Sequence, residues 1–294
     1  MLSGAITAIV TPMNDNGDID FQSLNNLVEF QINNGISGLV VLGSTGEAFT
    51  LLTNEKLKLL QYVIGKSGGR VKIIAGVSSA STAEAVDFIN KLNKVVGIDY
   101  IMAITPYYMK PTQEGMYQHF SQISKVSKYP VLLYNVPGRT SSDLQNDTIL
   151  RLAHDFKNIV GIKDATGNVE RLSYLLKYKP QDFMLLSGDD ATSLAYMMCG
   201  GDGVISVVSN LVPAQMSKMC KHAISGEKAL AIAANNEILE LHSAMFIEAN
   251  PIPLKWALYH SQIIVSPYVR LPLTVLSDAF QVKIKSTIEQ VTKR

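Results

Sequence analysis

Eight short runs rich in Val, Ile and Leu alternate with amphipathic stretches of about a dozen residues, and that alternation leaves few folds open to the chain. The runs are Ala5 to Val10, Gly38 to Leu42, Lys72 to Gly76, Tyr100 to Thr105, Val131 to Asn135, Ile159 to Lys163, Phe183 to Ser187 and Gly203 to Ser206. Between them the spacing predicts helices over Ser23 to Asn33, Asn54 to Ile64, Thr82 to Val95, Gln113 to Val126, Asp147 to Ala153, Val169 to Leu176 and Asp190 to Cys199. Nearly continuous apolar content marks strands covered on both faces, and strict alternation with helices calls for parallel strands joined by crossovers. Eight such units close into an α/β fold, the (β/α)8 barrel. A doubly wound open sheet shares the alternation, but the count of eight and the even repeat favour the barrel. After Val212 only helical patterns follow, over Val212 to Ala223, Lys228 to Phe246, Pro253 to His260 and Leu273 to Val291. The expected organisation is a catalytic barrel over 1–224 and a C-terminal helical region over 225–294, which packs on the barrel or supplies a subunit interface.

The 294 residues, 47% hydrophobic and 17% charged, are enough to bury a large core. A formal net charge of +1, with no cluster of Lys and Arg, offers no field for a nucleic acid. The Leu2 to Val10 stretch lacks a basic flank and a small-residue cleavage site. No apolar run reaches about eighteen residues, so the expectation is a cytoplasmic protein without membrane contact. Cys199 and Cys220 fall on separate helices without ligand spacing and read as buried free thiols. His119, His154, His222, His242 and His260 show no ligand spacing either, so no metal site is expected.

In a barrel of this kind the chemistry sits on the loops that follow the strands. The unusual residues cluster there. Strand 6 ends in Lys163, where Asn158-Ile159-Val160-Gly161-Ile162 gives way to Asp164-Ala165-Thr166-Gly167. A lysine at the end of a buried strand is partly desolvated, which disfavours the ammonium form and frees the amine as a nucleophile toward carbonyl compounds. Strand 2 ends in Gly43-Ser44-Thr45-Gly46-Glu47, strand 4 in Thr105-Pro106-Tyr107-Tyr108, strand 5 in Tyr134-Asn135-Val136-Pro137-Gly138-Arg139-Thr140 and strand 7 in Gly188-Asp189-Asp190. Side chains alternate along a strand, so Gly161 points with Lys163 and Leu132 with Tyr134. Strands 5 and 6 are neighbours, which brings Tyr134 to Lys163, while Ser44 and Thr45 face the lysine from the opposite rim.

Each group also has a plainer reading. Lys163 can be a solvated strand-end lysine and Tyr134 a core aromatic with a wet hydroxyl. Arg139 is either a solvated loop arginine or a bidentate clamp for a carboxylate. Asp189 and Asp190 read first as caps of the following helix. Gly43 to Glu47 has neither phosphate-loop spacing, and the loops after strands 7 and 8 carry Asp189, Asp190 and Asp202, so a phosphorylated substrate is disfavoured.

Together the Gly43–Glu47, Tyr134–Thr140, Gly161–Gly167, Ser187–Asp190 and Gly203–Ser206 motifs resemble the 4-hydroxy-tetrahydrodipicolinate synthase (dihydrodipicolinate synthase) family, within the pyruvate-dependent class I aldolase and N-acetylneuraminate lyase superfamily. The resemblance runs the length of the chain. The strand-2, tyrosine and lysine motifs are shared across the superfamily, and Asn135-Val136-Pro137-Gly138-Arg139-Thr140 is the more specific signal. The resemblance implies a lyase of diaminopimelate and lysine biosynthesis that condenses pyruvate with L-aspartate 4-semialdehyde. In that reading Lys163 carries the Schiff base and Tyr134, Ser44 and Tyr108 relay protons. Thr45 binds the pyruvate carboxylate and Arg139 the carboxylate of the aldehyde. Gly188 and Ile205 line the pyruvate pocket through backbone groups. No cofactor is implied beyond the covalent pyruvate imine on Lys163. The tyrosine matching Tyr108 serves a neighbouring subunit's site, which implies a homo-oligomer, usually a dimer of dimers. The alternatives are a sister aldolase cleaving N-acetylneuraminate or a 2-keto-3-deoxy sugar acid, or a non-catalytic barrel that binds a small acid. The chain departs from the family in two places. Ser44 stands where threonine is usual, losing a methyl that stiffens the rotamer and with it some turnover. Lys56 and Ala80 stand where lysine-inhibited members have histidine and asparagine, with Glu84 and Tyr107 retained, which implies weak or absent lysine feedback.

Overall fold

A computed structural model describes residues 2–292. Its strands are β1 (Gly4–Ala8), β2 (Gly38–Val41), β3 (Lys72–Val77), β4 (Tyr100–Ile104), β5 (Val131–Asn135), β6 (Ile159–Asp164), β7 (Met184–Ser187) and β8 (Gly203–Ser206). All pair in parallel in sequence order, and β8 returns to β1 at Gly4↔Gly203 and Thr7↔Ser206, closing the barrel. The open-sheet alternative is thereby excluded. The crossovers carry α1 (Phe21–Asn33), α2 (Thr53–Ser67), α3 (Thr82–Leu92), α4 (Gln113–Val126), α5 (Pro137–Thr140), α6 (Asn146–Asp155), α7 (Val169–Tyr178) and α8 (Ser193–Met198). Then follow α9 (Pro213–Ile224), α10 (Lys228–Ala244), α11 (Ile252–His260) and α12 (Asp278–Thr292).

Two apolar layers hold the barrel. The bore is filled by alternate strand residues, among them Ile6, Val40, Ile74, Met102, Leu132, Met184, Leu186 and Ile205. The intervening residues, such as Leu39, Ile73, Ile101, Leu133, Ile162 and Leu185, face outward under the helices. This two-sided burial is why the strands read as continuous apolar runs rather than as alternating ones. Helix starts follow local chemistry: the Asp20 side chain accepts from Gln22 and Ser23 N–H at α1, Ser81 from Glu84 at α3 and Asn168 from Glu170 at α7.

The β5–β6 ladder carries the irregularity that matters most. Val131 pairs with Ile159 but Leu132 pairs with Gly161, so Val160 is an extra residue in β6. Without that bulge Tyr134 would lie opposite Ile162. With it, Tyr134 lies opposite Lys163 and the lysine takes its place on the bore face.

Two local expectations need correction. Both thiols are free, but only Cys220 is buried; Cys199 sits at the exposed C-cap of α8, where no neighbour covers it. Asp189 does serve the start of α8, its Oδ2 accepting from Thr192 N and Oγ1 at 3.0 and 2.7 Å. Asp190 does not. Its Oδ2 accepts from Val207 N and Val208 N at 2.9 and 3.0 Å, tying the end of β7 to the turn after β8. Two amides in a buried turn with no other partner attract the carboxylate more strongly than the start of α8, which Asp189 already serves. Among the described residues no helix is long and apolar enough to cross a membrane.

Candidate active site

At the C-terminal end of the barrel, Ser44, Thr45, Tyr134, Arg139, Lys163, Gly188 and Asp189 line one cavity of about 110 Å³. Ala8, Val40, Met102, Val136 and Val207 supply its apolar wall, and Phe246 and Asn250 from the C-terminal region close its mouth. A second cavity of about 280 Å³ shares Ser44, Arg139 and Asn250 with the first and extends toward Phe49, Tyr107 and Leu273. The pair forms a small inner chamber with a wider approach.

Lys163 is 5% exposed, and its Nζ lies 4.3 Å from the centre of the Tyr134 ring. Among the described residues no carboxylate, carbonyl or hydroxyl accepts a hydrogen bond from that nitrogen. A buried amine flanked by a ring face and open chamber is therefore free to meet a carbonyl carbon. Two glycines make the room. A Cβ on Gly161 would lie 2.7 Å from Met184 O and 3.1 Å from Leu132 Cδ2, directly below the lysine on the bore face. A Cβ on Gly188 would lie 2.8 Å from Lys163 Cε, 3.0 Å from Lys163 Cγ and 2.7 Å from Ala165 Cβ. Any larger residue at 188 would push on the lysine stem itself.

The opposite rim is the Gly43–Glu47 turn, held by Gly46 N–H to Gly43 O at 3.1 Å and by Thr11 Oγ1 donating to Gly46 O at 2.7 Å. The turn presents the Ser44 and Thr45 hydroxyls to the chamber. The Thr45 hydroxyl is oriented by Asn250, whose Nδ2 donates to Oγ1 at 2.9 Å. Arg139, on the short α5 that begins at Pro137, donates from Nη2 to the carbonyl of the same Asn250 at 3.2 Å, and its other side-chain N–H groups meet no acceptor among the described residues. At the end of β6, one residue past the lysine and on the other strand face, Asp164 is buried; burial raises its carboxyl above the usual range while Arg171, with Nε 3.5 Å away, opposes that shift.

Sequence reasoning thus placed Lys163, Tyr134, Ser44, Thr45, Arg139 and Gly188 around one chamber, and they are together. Ile205 lies deeper, 1% exposed in the bore among Ile6 and Leu186, and Val207 lines the chamber at the end of β8. Tyr108 lies outside. It is 88% exposed, at a left-handed φ of 68° beside exposed Met109. Two residues were missed altogether, Asn250 and Lys255. Their signals were present: a Pro-bracketed turn, Asn250-Pro251-Ile252-Pro253, and a lysine inside the apolar run Pro253-Leu254-Lys255-Trp256-Ala257-Leu258.

Comparison with known proteins agrees with the geometry. The profile of the Dihydrodipicolinate synthetase family matches residues 1–291. A 4-hydroxy-tetrahydrodipicolinate synthase of Laribacter hongkongensis is 48% identical over 289 residues, covering 98% of each chain. The crystal structure of a chloride-inhibited dihydrodipicolinate synthase from Acinetobacter baumannii complexed with pyruvate superposes with a TM-score of 0.96 at 43% identity, covering 99% of both chains. A structure characterised as the first monomeric dihydrodipicolinate synthase variant superposes with a TM-score of 0.95 at 36% identity, covering 99% of this chain and 97% of its own.

Proposed function

The chain belongs to the dihydrodipicolinate synthetase family, and from that premise we propose that it condenses pyruvate with L-aspartate 4-semialdehyde to 4-hydroxy-tetrahydrodipicolinate, as a lyase of lysine and diaminopimelate biosynthesis. The observation that carries the reading is the unpartnered Lys163 amine over the Tyr134 ring, enclosed in a chamber that also holds two hydroxyls and an arginine. The Lys163 nitrogen adds to C2 of pyruvate and water leaves, giving a protonated imine. That imine is an electron sink, so a methyl proton is lost and an enamine forms. The enamine carbon then attacks the aldehyde carbon, whose oxygen takes up a proton. The substrate's own amine closes the ring on C2 and displaces Lys163, which restores the enzyme. No cofactor enters this sequence.

Tyr134 moves the protons of imine formation and cyclisation with the Ser44 hydroxyl, since a hydroxyl both donates and accepts without introducing a fixed charge. Thr45 binds the pyruvate carboxylate, with the backbone of Gly188 lining the pyruvate side and that of Ile205 beneath it, deeper in the bore. Arg139 holds the carboxylate of the aldehyde through parallel hydrogen bonds. Tyr108 completes the relay in a neighbouring subunit. Support for that role is its projection into solvent beside Met109 and the exposure of Phe49, Leu52 and Leu271, an apolar set that a second copy would cover. The working unit is then a cytoplasmic homotetramer built as a dimer of dimers, whose barrel spans 1–224 and whose region 225–294 contributes Asn250. The test is pyruvate-dependent consumption of aspartate 4-semialdehyde by the purified protein. Turnover confined to N-acetylneuraminate or a 2-keto-3-deoxy sugar acid would transfer the chain to a sister activity, for which Arg139 is poorly suited because a polyol is better met by hydroxyls and amides.

A further inference from the structure

Glu47 ends the turn that carries Ser44 and Thr45, at a left-handed φ of 55°. Its N–H donates to Ser44 O at 3.1 Å, so the orientation of this residue is coupled to the turn itself. Its carboxylate has no exposure, and both oxygens are taken by groups far along the chain. Oε1 accepts from Lys255 Nζ at 2.7 Å, across 208 residues, and Oε2 accepts from Arg270 N at 3.0 Å. The Lys255 side chain is also fully buried, on α11. Burial draws its amine below the usual lysine range, and the adjoining Glu47 carboxylate opposes that shift. Five residues earlier on the same segment, Asn250 holds the Thr45 hydroxyl with its side chain and Arg139 with its carbonyl.

Pairs of this kind are not an economical way to stabilise a fold. Two charges taken out of water lose most of their hydration, and apolar side chains of the same volume often serve stability as well or better. What the pair supplies is direction: a short charge-assisted bond at a defined point of a strained turn. We propose that Lys255 is a positioning residue, which by holding Glu47 fixes the Ser44–Thr45 turn against α11, so that the segment from Asn250 to Lys255 sets the carboxylate-binding half of the chamber. This inference rests on Lys163 forming the pyruvate imine. Errors of about 1 Å in such a turn can reduce kcat/KM on the order of a hundredfold in enzymes that rely on alignment.

The experiment compares the full-length enzyme with Glu47→Gln, Lys255→Met and the double variant, reading thermal midpoint, steady-state constants and borohydride labelling of Lys163 by pyruvate. Lys255→Met alone is expected to lower the midpoint most, because it strands a buried carboxylate. The double variant is expected to recover much of that loss, yet to keep kcat/KM for pyruvate about tenfold down or more, chiefly through a higher KM, and to label Lys163 at saturating pyruvate. A structural role alone would restore the constants together with the midpoint, and that result overturns the inference. Should Lys255→Met fail to fold, Glu47→Gln decides: it keeps shape and an acceptor but loses the charge, and an unchanged KM for pyruvate overturns the inference. Failure of the unsubstituted enzyme to label Lys163 would instead overturn the imine reading on which all this stands.

Discussion

Replacing Gly188 with alanine tests the chamber at its tightest point. The added Cβ would stand 2.8 Å from Lys163 Cε and 2.7 Å from Ala165 Cβ, where ordinary contacts begin at 3.4 Å. Relief therefore requires the lysine stem to withdraw by 0.6 Å (3.4 − 2.8) and Ala165, fixed to the β6 end, by 0.7 Å (3.4 − 2.7). Overpacking of this degree costs about 1–3 kcal/mol of stability. For a chain of this size that is a drop in the thermal midpoint of several degrees, roughly 2–4 °C per kcal/mol, and the variant remains folded. The stem that carries the reacting nitrogen is displaced by more than half of the ~1 Å that costs alignment-dependent catalysis about a hundredfold, so the rate of imine formation should fall about 10- to 100-fold. Borohydride trapping of pyruvate as a function of time reads that rate directly, and circular dichroism reads the fold. A Gly188→Ala variant that is trapped at the unsubstituted rate would show that the lysine stem is not held by this contact, and would refute the steric argument.

Other outcomes follow from the same geometry. Asp190→Ala removes the acceptor of two buried amides, Val207 N and Val208 N, and should cost about 3 kcal/mol in denaturant unfolding; a loss under about 1 kcal/mol would show that the turn after β8 holds itself. His119 is buried with Nδ1 2.9 Å from Thr82 Oγ1, and burial holds its imidazole down to about 4. The unfolded chain takes up that proton near 6.5, so its contribution is complete above that value and is lost as pH falls from about 6.5 to about 4, in total about 3 kcal/mol. His119→Gln should flatten that part of the stability curve; urea midpoints at pH 7 and 4.5 that differ as much as in the unsubstituted protein would exclude the residue as the cause. Lys56 and Glu84 line a separate cavity of about 520 Å³, which Ala80 does not help to form. The Lys56 ammonium repels a second one despite Glu84 and Asp87 beside it, so L-lysine should inhibit the condensation weakly or not at all, and a micromolar inhibition constant would contradict this.

The barrel was legible because each of its strands is buried on both faces, so that β1 to β8 announce themselves as largely apolar runs even at four to six residues in length. The helix ends were less so. α2 runs on to Ser67 and α8 begins only at Ser193, because caps such as the left-handed Gly68 and the Thr192 turn decide those limits rather than periodicity. The four-residue α5 and the tight turn Val208–Asn210 are too short to show any period. Within the site, residues at strand ends could be found because the fold sends them to one rim. Asn250 and Lys255 stand out locally, in a Pro-bracketed turn and an apolar run, but nothing local names their partners, since they reach Thr45 and Glu47 across 205 and 208 residues. Asp190 was misread for a related reason: helix capping is a local inference, and its partners lie 17 and 18 residues away.

The central claim is that the enclosed Lys163 amine becomes covalently joined to a keto acid. Mass spectrometry of the protein treated with pyruvate and borohydride measures this most directly. A single reduced adduct, confined to the peptide that contains Lys163 and absent from Lys163→Arg, is the expected result. An unmodified Lys163 peptide, or an adduct on some other lysine, would contradict it.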